Sequence, residues 1–154
     1  MAKSRMERIA ALAPLPLRII LGIIMIAHGH QKVFGEARQG FEGAVESLGV
    51  PEPGLVARLV SFLEFVGGLA LIAGFLTRPI ALLFSGQFLF IVFRMKWSKG
   101  LVPGYEYDLA LLGSFLTLAM LGGGAGSLDE VLWQRDNAQE AARERRLRRM
   151  LRSR

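Results

Sequence analysis

The chain has 154 residues, a formal net charge of +6 and no cysteine. Without thiols it forms no disulfide, runs no thiol redox chemistry and offers no cysteine to zinc or an iron–sulfur cluster, so any redox role needs a bound cofactor or a partner. Hydrophobic residues make up 52% and the mean hydropathy is +0.38; the apolar residues gather in four blocks, each near the roughly 20 residues that cross a bilayer core, which favours an integral membrane protein over a soluble bundle.

The first block runs from about Leu12 to Val33, behind Lys3, Arg5 and Arg8. No small-x-small cleavage site follows it, so it is expected to stay as a helix. At helical spacing Arg18, Gly22, Met25, His28 and Lys32 fall on one stripe, and His30 points elsewhere. Two histidines at i,i+2 cannot chelate one metal together, so His28-x-His30 predicts no metal site. Arg18 lies near the end of the span, where it can snorkel to water. The connection "GEARQGFEGAVESLGVPEPG" carries Phe41, Val45 and Leu48 at helical spacing, predicting a short interfacial helix that ends before Pro51.

The second block runs from about Leu55 to Leu76 and holds Glu64, about 12 Å in from Val56 at 1.5 Å per residue. Glu64 shares a face with Gly67, Gly68 and Leu71, and the glycines admit a neighbouring backbone. After a short Thr77–Arg78 turn the third block, Pro79 to Met95, places Gln87, Ile91 and Arg94 on one face. A loop with Lys96 and Lys99 leads to the fourth block, Tyr105 to Leu121. It opens on Tyr105-Glu106-Tyr107-Asp108 and continues inward with Ala110, Gly113 and Thr117 on the Glu106 stripe. Ser127-Leu128-Asp129-Glu130 fits a capping box, so another helix is expected to start there.

Residues 131–154 form an arginine-rich tail outside a membrane domain of residues 1–130. Most of the net charge sits in this tail, so it does not suggest nucleic acid. Leu147, Met150 and Leu151 make an apolar stripe among the arginines, as in a basic amphipathic helix on anionic lipid or on an acidic partner. The positive residues place both termini and the Thr77–Arg78 turn on the cytoplasmic side. The fold expected is an all-α membrane protein: a four-transmembrane-helix bundle, a short interfacial helix in the first loop and a basic amphipathic C-terminal helix.

A charge at the centre of a membrane helix costs roughly 2.5–3.5 kcal/mol on insertion scales, so intramembrane charges should face the bundle, a partner or water. His28, Lys32, Glu64, Arg94, Glu106 and Asp108 all fall in the outer half, with Gln87 just below them. This predicts either a pocket or an ion-pair network that only locks the bundle. As a pocket, His28, Lys32 and Glu64 are the candidate catalytic residues, and Gln87, Arg94, Tyr105, Glu106 and Asp108 would bind a quinone-like head group. No metal is expected.

"AHGHQKVFG" (27–35) is similar to the HG-x-QK-x-FG signature of DoxX-family membrane proteins. "FLEFVGGLALIAGFLTRPIALL" resembles the family's glutamate-bearing second helix and its Thr-Arg turn, and "GYEYDLALL" and "GAGSLD" resemble the start and exit of its fourth. The resemblance covers about residues 12–130. The matching positions are His28, Gly29, Gln31, Lys32, Gly35, Glu64, Gly67, Gly68, Thr77, Arg78, Glu106, Ser127 and Asp129. His30, Gln87, Lys96 and the Gly122-Gly123-Gly124 turn depart from the family pattern; Lys96 stands where a histidine is frequent. The resemblance implies four transmembrane helices. It also implies kinship with membrane subunits of thiosulfate:quinone oxidoreductase and with membrane partners of oxidative-stress enzymes. Four roles therefore stand open: a quinone-handling oxidoreductase component, a non-catalytic accessory subunit of a larger membrane complex, a small-solute transporter, and a haem protein with His28 as ligand. Membrane lipids and other membrane subunits are the expected partners.

Overall fold

The computed structural model describes residues 5–152, and among them every regular element is helical. Lys3, and the side chains of Arg8, Leu147 and Leu151, lie outside the described residues. The chain runs through α1 (Arg5–Leu12), α2 (Pro14–Phe34), α3 (Ala37–Glu46), α4 (Pro53–Ala73) and α5 (Thr77–Phe90). A widened π segment (Ile91–Lys96), a 3₁₀ turn (Trp97–Lys99) and a second π turn (Leu101–Tyr105) lead into α6 (Glu106–Leu121) and α7 (Leu128–Arg152).

The boundaries follow local chemistry. Pro14 and Pro16 sit in the first turn of α2, where a missing N–H loses nothing, so α2 begins at Pro14 and α1 is a separate turn of chain. Pro53 opens α4 in the same way. Gly74 closes α4 with φ +69°, and the Phe75 N–H donates to Ala70 O at 2.9 Å, a Schellman ending. α3 ends at Glu46, before Pro51 as the sequence predicts.

Four helices alternate in direction. Lys32, at the end of α2, meets Glu64, while Arg18, near its start, lies beside Gly74 at the end of α4. Phe84 of α5 packs on Gly67 of α4, and Phe84 and Phe88 stack on Phe115 of α6 at 5.0 and 5.6 Å between ring centres. The buried residues Arg18, Gly22, Met25 and Gly29 of α2, continuing to Lys32, face Ala57, Ser61, Glu64, Gly68 and Leu71 of α4. Both series alternate steps of four and three, the seam spacing of paired helices. A Cβ on Gly22 would lie 2.7 Å from Gly68 O, one on Gly68 would lie 2.7 Å from Gly22 O, and one on Gly29 would strike the Phe65 backbone N. The two backbones are therefore in contact, and no side chain fits between them. Leu21, Met25, Leu71, Phe84, Phe88, Leu111, Leu112, Phe115 and Leu118 complete the buried core.

Outside this core the surface is apolar: Ile20, Ile23, Leu59, Phe62, Leu69, Leu82, Leu83, Leu116 and Met120 are all exposed. Three helical stretches are long and apolar enough to cross a membrane, Arg5–Phe34, Pro53–Ala73 and Thr77–Lys99. The 16 residues of α6 span about 24 Å at 1.5 Å each, short of a core of about 30 Å. The inward face of α5 is centred on Ala81, Phe84 and Phe88 and continues to Val92, so Gln87 and Ile91 lie at its edge, half-buried, and Arg94 turns outward with Gly86, Phe90 and Phe93. The expected inward stripe of α6 is also reversed. Glu106, Ala110, Gly113 and Thr117 are exposed, and Asp108, Leu111, Phe115 and Leu118 point in. The apolar partner face of α5, led by Phe84 and Phe88, takes the bulky side of α6 rather than its small one.

Candidate functional site

Glu64 lies mid-helix on α4 with 2% exposure. Lys32 Nζ, arriving from the last turn of α2, donates to both of its oxygens at 2.7 Å. Gln87 of α5 donates from Nε2 to Glu64 Oε1 at 2.5 Å. One carboxylate thus gathers three helices, and an ammonium and an amide meet its charge. Two of the three ammonium protons serve Glu64, and Lys32 Nζ also lies 4.2 Å from the centre of the Phe41 ring on α3. Gln87 Oε1 is buried with no hydrogen-bond partner among the described residues.

Lys32 is one wall of a cavity of about 360 Å³ between the end of α2, α3 and the start of α4. Val33, Ala57, Ser61, Phe41 and Phe62 supply most of the remaining lining, and Arg38, Arg58 and Glu42 supply charge. Leu59 and Phe62, which also line it, are 60% and 61% exposed on the apolar outer surface of α4.

The other expected site residues are divided. Asp108, 4% exposed, accepts from Lys96 Nζ at 2.6 Å, a second pair that joins the π segment to α6. Tyr105 stacks on Trp97 at 5.5 Å, and Trp97 on Phe93 at 5.0 Å. Glu106 and Tyr107 are exposed. Arg94 is exposed beside Gly86, Leu89, Phe90 and Phe93, away from Glu64. His28 is exposed too, because the seam with α4 selects Gly29, its neighbour in sequence, as the buried position. His30 makes ring contacts with Phe34 at 5.3 Å and Phe65 at 6.4 Å. Of the expected outer-half cluster, the structure brings together two ion pairs: Lys32–Glu64 with Gln87, and Lys96–Asp108.

A third polar cluster occupies the opposite end of the bundle. Arg18 is 2% exposed rather than snorkelling, and its guanidinium donates to Gly123 O and Gly126 O at 2.8 Å each. Asp129 accepts the Leu76 N–H at 2.7 Å and the Thr77 N–H at 2.9 Å, capping α5. Leu76 sits at φ +49°, a conformation costly for a bulky side chain that Asp129 helps to hold. Ser127 Oγ accepts the Glu130 N–H at 3.1 Å as the capping box requires, while Glu130 reaches the Gly126 N–H instead of that of Ser127. These bonds tie the α4–α5 turn to the start of α7. Past that first turn α7 is exposed at every residue from 131 to 145.

Sequence reasoning missed Arg58, the Lys96–Asp108 pair and the role of Arg18. The signal for Arg58 was its place inside an apolar block, the same signal that marked Glu64.

A protein-family model described as DoxX matches residues 13–97. Over 130 residues the chain is 37% identical to inner membrane protein YqjF of Escherichia coli (strain K12), covering 82% of this chain and 97% of that relative. It is 28% identical over 130 residues to the Bacillus subtilis (strain 168) protein named "Putative oxidoreductase CatD", covering 84% and 93%. It is 33% identical over 123 residues to inner membrane protein YphA of Escherichia coli (strain K12), covering 73% and 84%. No solved structure matches.

Proposed function

This chain belongs to the DoxX family of membrane proteins, and we propose that it is a bacterial inner-membrane component of an oxidoreductase or electron-transfer system. In this reading α6 completes a four-span bundle with both termini cytoplasmic, and a quinone-type head group enters the cavity beside Lys32. The observation that carries it is the buried Glu64 held by Lys32 and Gln87, with Lys32 forming a wall of a cavity that the exposed apolar Leu59 and Phe62 also line. The oxidoreductase name of CatD supports the class of chemistry.

Quinone reduction takes up two electrons and two protons. The chain has no thiol and binds no metal in this reading, so the electrons come from a partner subunit. What its own residues supply is proton handling and orientation. A ring carbonyl in the cavity would accept from the ammonium proton of Lys32 that Glu64 does not use. Lys32, 17% exposed at the cavity wall, would regain that proton from water, and the Glu64 carboxylate holds it as the ammonium; two such cycles would supply both protons. Gln87, whose Nε2 donates to the same carboxylate, keeps Oε1 as an acceptor without a partner among the described residues. Glu64→Gln keeps the shape and removes the exchangeable charge. Native membranes carrying it should hold normal amounts of inserted protein and lose electron transfer to added quinone; unchanged transfer rejects the reading.

A second reading, a non-catalytic accessory subunit, rests on α7. Among the mostly polar residues of its first half, Val131 51%, Leu132 45% and Trp133 67% are exposed side by side without a cover among the described residues. Gentle extraction and mass determination separate the two, since a lone monomer or homodimer excludes the accessory role.

A further inference from the structure

We propose that the cavity under α3 is a binding site for the head group of an anionic phospholipid. Three cations line it, Lys32, Arg38 and Arg58, against one carboxylate, Glu42. Lys32 is already neutralised by Glu64. Arg38 and Arg58 are neither ion-paired nor hydrogen-bonded among the described residues. Glu42 does not neutralise them: it is turned toward the start of α4, its Oε1 2.5 Å from where a Gly54 Cβ would stand. Two uncompensated guanidinium groups therefore share one concavity.

Arg58 is the sharper anomaly. It lies in the second turn of a span with hydropathy 2.0, between the exposed Leu55 and Leu59 and one turn from the exposed Phe62. A cation at that depth on a lipid-facing helix needs an anion or a route to water. An arginine fork matches phosphate oxygens two at a time, and Arg38 on α3 offers a second fork from across the cavity. The apolar lip of Leu59 and Phe62 then receives what a soluble phosphate lacks, the acyl chains. Amphipathic α3 covers the head group from the water side through Phe41, which is half-buried against Lys32. One concave site thus presents fixed positive charge at its polar side and bare hydrocarbon contact at its other.

The inference stands apart from redox chemistry, although it gives the proposed quinone a competitor for the same cavity. It is tested by native mass spectrometry of the full chain in mild detergent. Phosphatidylglycerol and phosphatidylcholine with identical acyl chains are added at equal concentration. The wild type should retain phosphatidylglycerol at one per chain in preference to phosphatidylcholine. Each cation near a lipid surface contributes about 1 kcal/mol, so Arg38→Gln and Arg58→Gln should each weaken retention about fivefold and together about thirtyfold. Arg38→Lys with Arg58→Lys, which keeps the charge, should retain most of the preference, and this separates lost charge from lost folding. Arg94→Gln, on the opposite outward face, should change nothing. Equal retention of both lipids, or a preference that survives the double glutamine variant, overturns the proposal. So does equal affinity for glycerol 3-phosphate, which would make the occupant a soluble phosphate. Retention of a neutral quinone in place of the lipid, unaffected by the arginine variants, overturns it too and leaves the quinone reading intact.

Discussion

Lys32 and Glu64 can be separated into a structural and a chemical contribution by a double-mutant cycle. Lys32→Met keeps a stem of similar length and removes the charge, leaving Glu64 at 2% exposure with Gln87 as its remaining donor. Removing one partner of a buried pair costs about 3–5 kcal/mol, because the other charge is stranded. Gln87 still donates, so the lower end applies, about 3 kcal/mol. Replacing both with methionine removes the stranded charge and should restore most of the loss, since apolar replacement of a buried pair is often neutral or stabilising. The other single, Glu64→Met, leaves Lys32, 17% exposed, within reach of water and should cost little, so the coupling energy should be about 3 kcal/mol in magnitude. Ordinary interhelical hydrogen bonds in a membrane protein couple by about 0.6 kcal/mol on average and reach about 1.7 kcal/mol, so the two outcomes are well separated. The assay is unfolding of the purified chain in mixed micelles by increasing sodium dodecyl sulfate, followed by circular dichroism. A Lys32→Met variant within about 0.5 kcal/mol of wild type, or a double variant no more stable than that single, would refute the view of Glu64 as a desolvated charge.

Gly29→Val should abolish the folded bundle, because the Cβ strikes the Phe65 backbone, whereas Gly113→Val on the exposed face of α6, with nothing within 4 Å, should leave the unfolding midpoint nearly unchanged. Asp129→Ala removes the acceptor for two α5 N–H groups and should cost about 1–2 kcal/mol in the same titration. Arg18→Met leaves the Gly123 and Gly126 carbonyls without their donor; at about 1.5–3 kcal/mol per bond to a charged group it should lose about 3–6 kcal/mol. The molecules of that variant that remain folded should keep full quinone-dependent turnover, and a folded Arg18→Met protein with reduced turnover per molecule would contradict the assignment of Arg18 to structure.

The helices were legible because block length and punctuation agree: Pro14, Pro53 and Gly74 end or begin spans where the apolar runs do. Glu64 was legible by depth alone, since only a partnered carboxylate persists so far into an apolar run. The capping box at Ser127 and the short α3 were readable from local pattern. The partners were less so. His28 and Gly29 are adjacent on the same helix edge, and only the approach of α4 decides which is buried; the contact of two backbones demands the glycine. Arg94 was misplaced because its stripe was centred on Gln87, which lies at the edge of the buried Phe84–Phe88 face rather than on it. Arg18 looked like a snorkelling end group because its acceptors, Gly123 and Gly126, lie more than a hundred residues away and come into reach only when α6 closes the bundle. Gln87, a candidate binding residue, and Lys96, both departures from the family pattern, prove to be bonded to Glu64 and Asp108.

The two ends of the bundle solve the same physical problem with different materials, and the difference bears on chemistry. At one end, Arg18 and Asp129 bond only to backbone groups, two carbonyls and two N–H groups, and Arg18 Nε is left without a partner among the described residues. A peptide carbonyl or amide exchanges no proton at working pH, so that network can fix a turn but cannot move charge. At the other end, Lys32, Glu64 and Gln87 satisfy one another through side chains, and an ammonium against a carboxylate is a pair across which a proton can pass. Only there does a member of the network also line a cavity of head-group size. Arg18 is buried against backbone groups alone, so holding helices together does not by itself call for an ion pair. The two proposals give the pair at the cavity wall something further to act on, a reducible ring that takes a proton from Lys32 or an anionic lipid that lodges between Arg38 and Arg58.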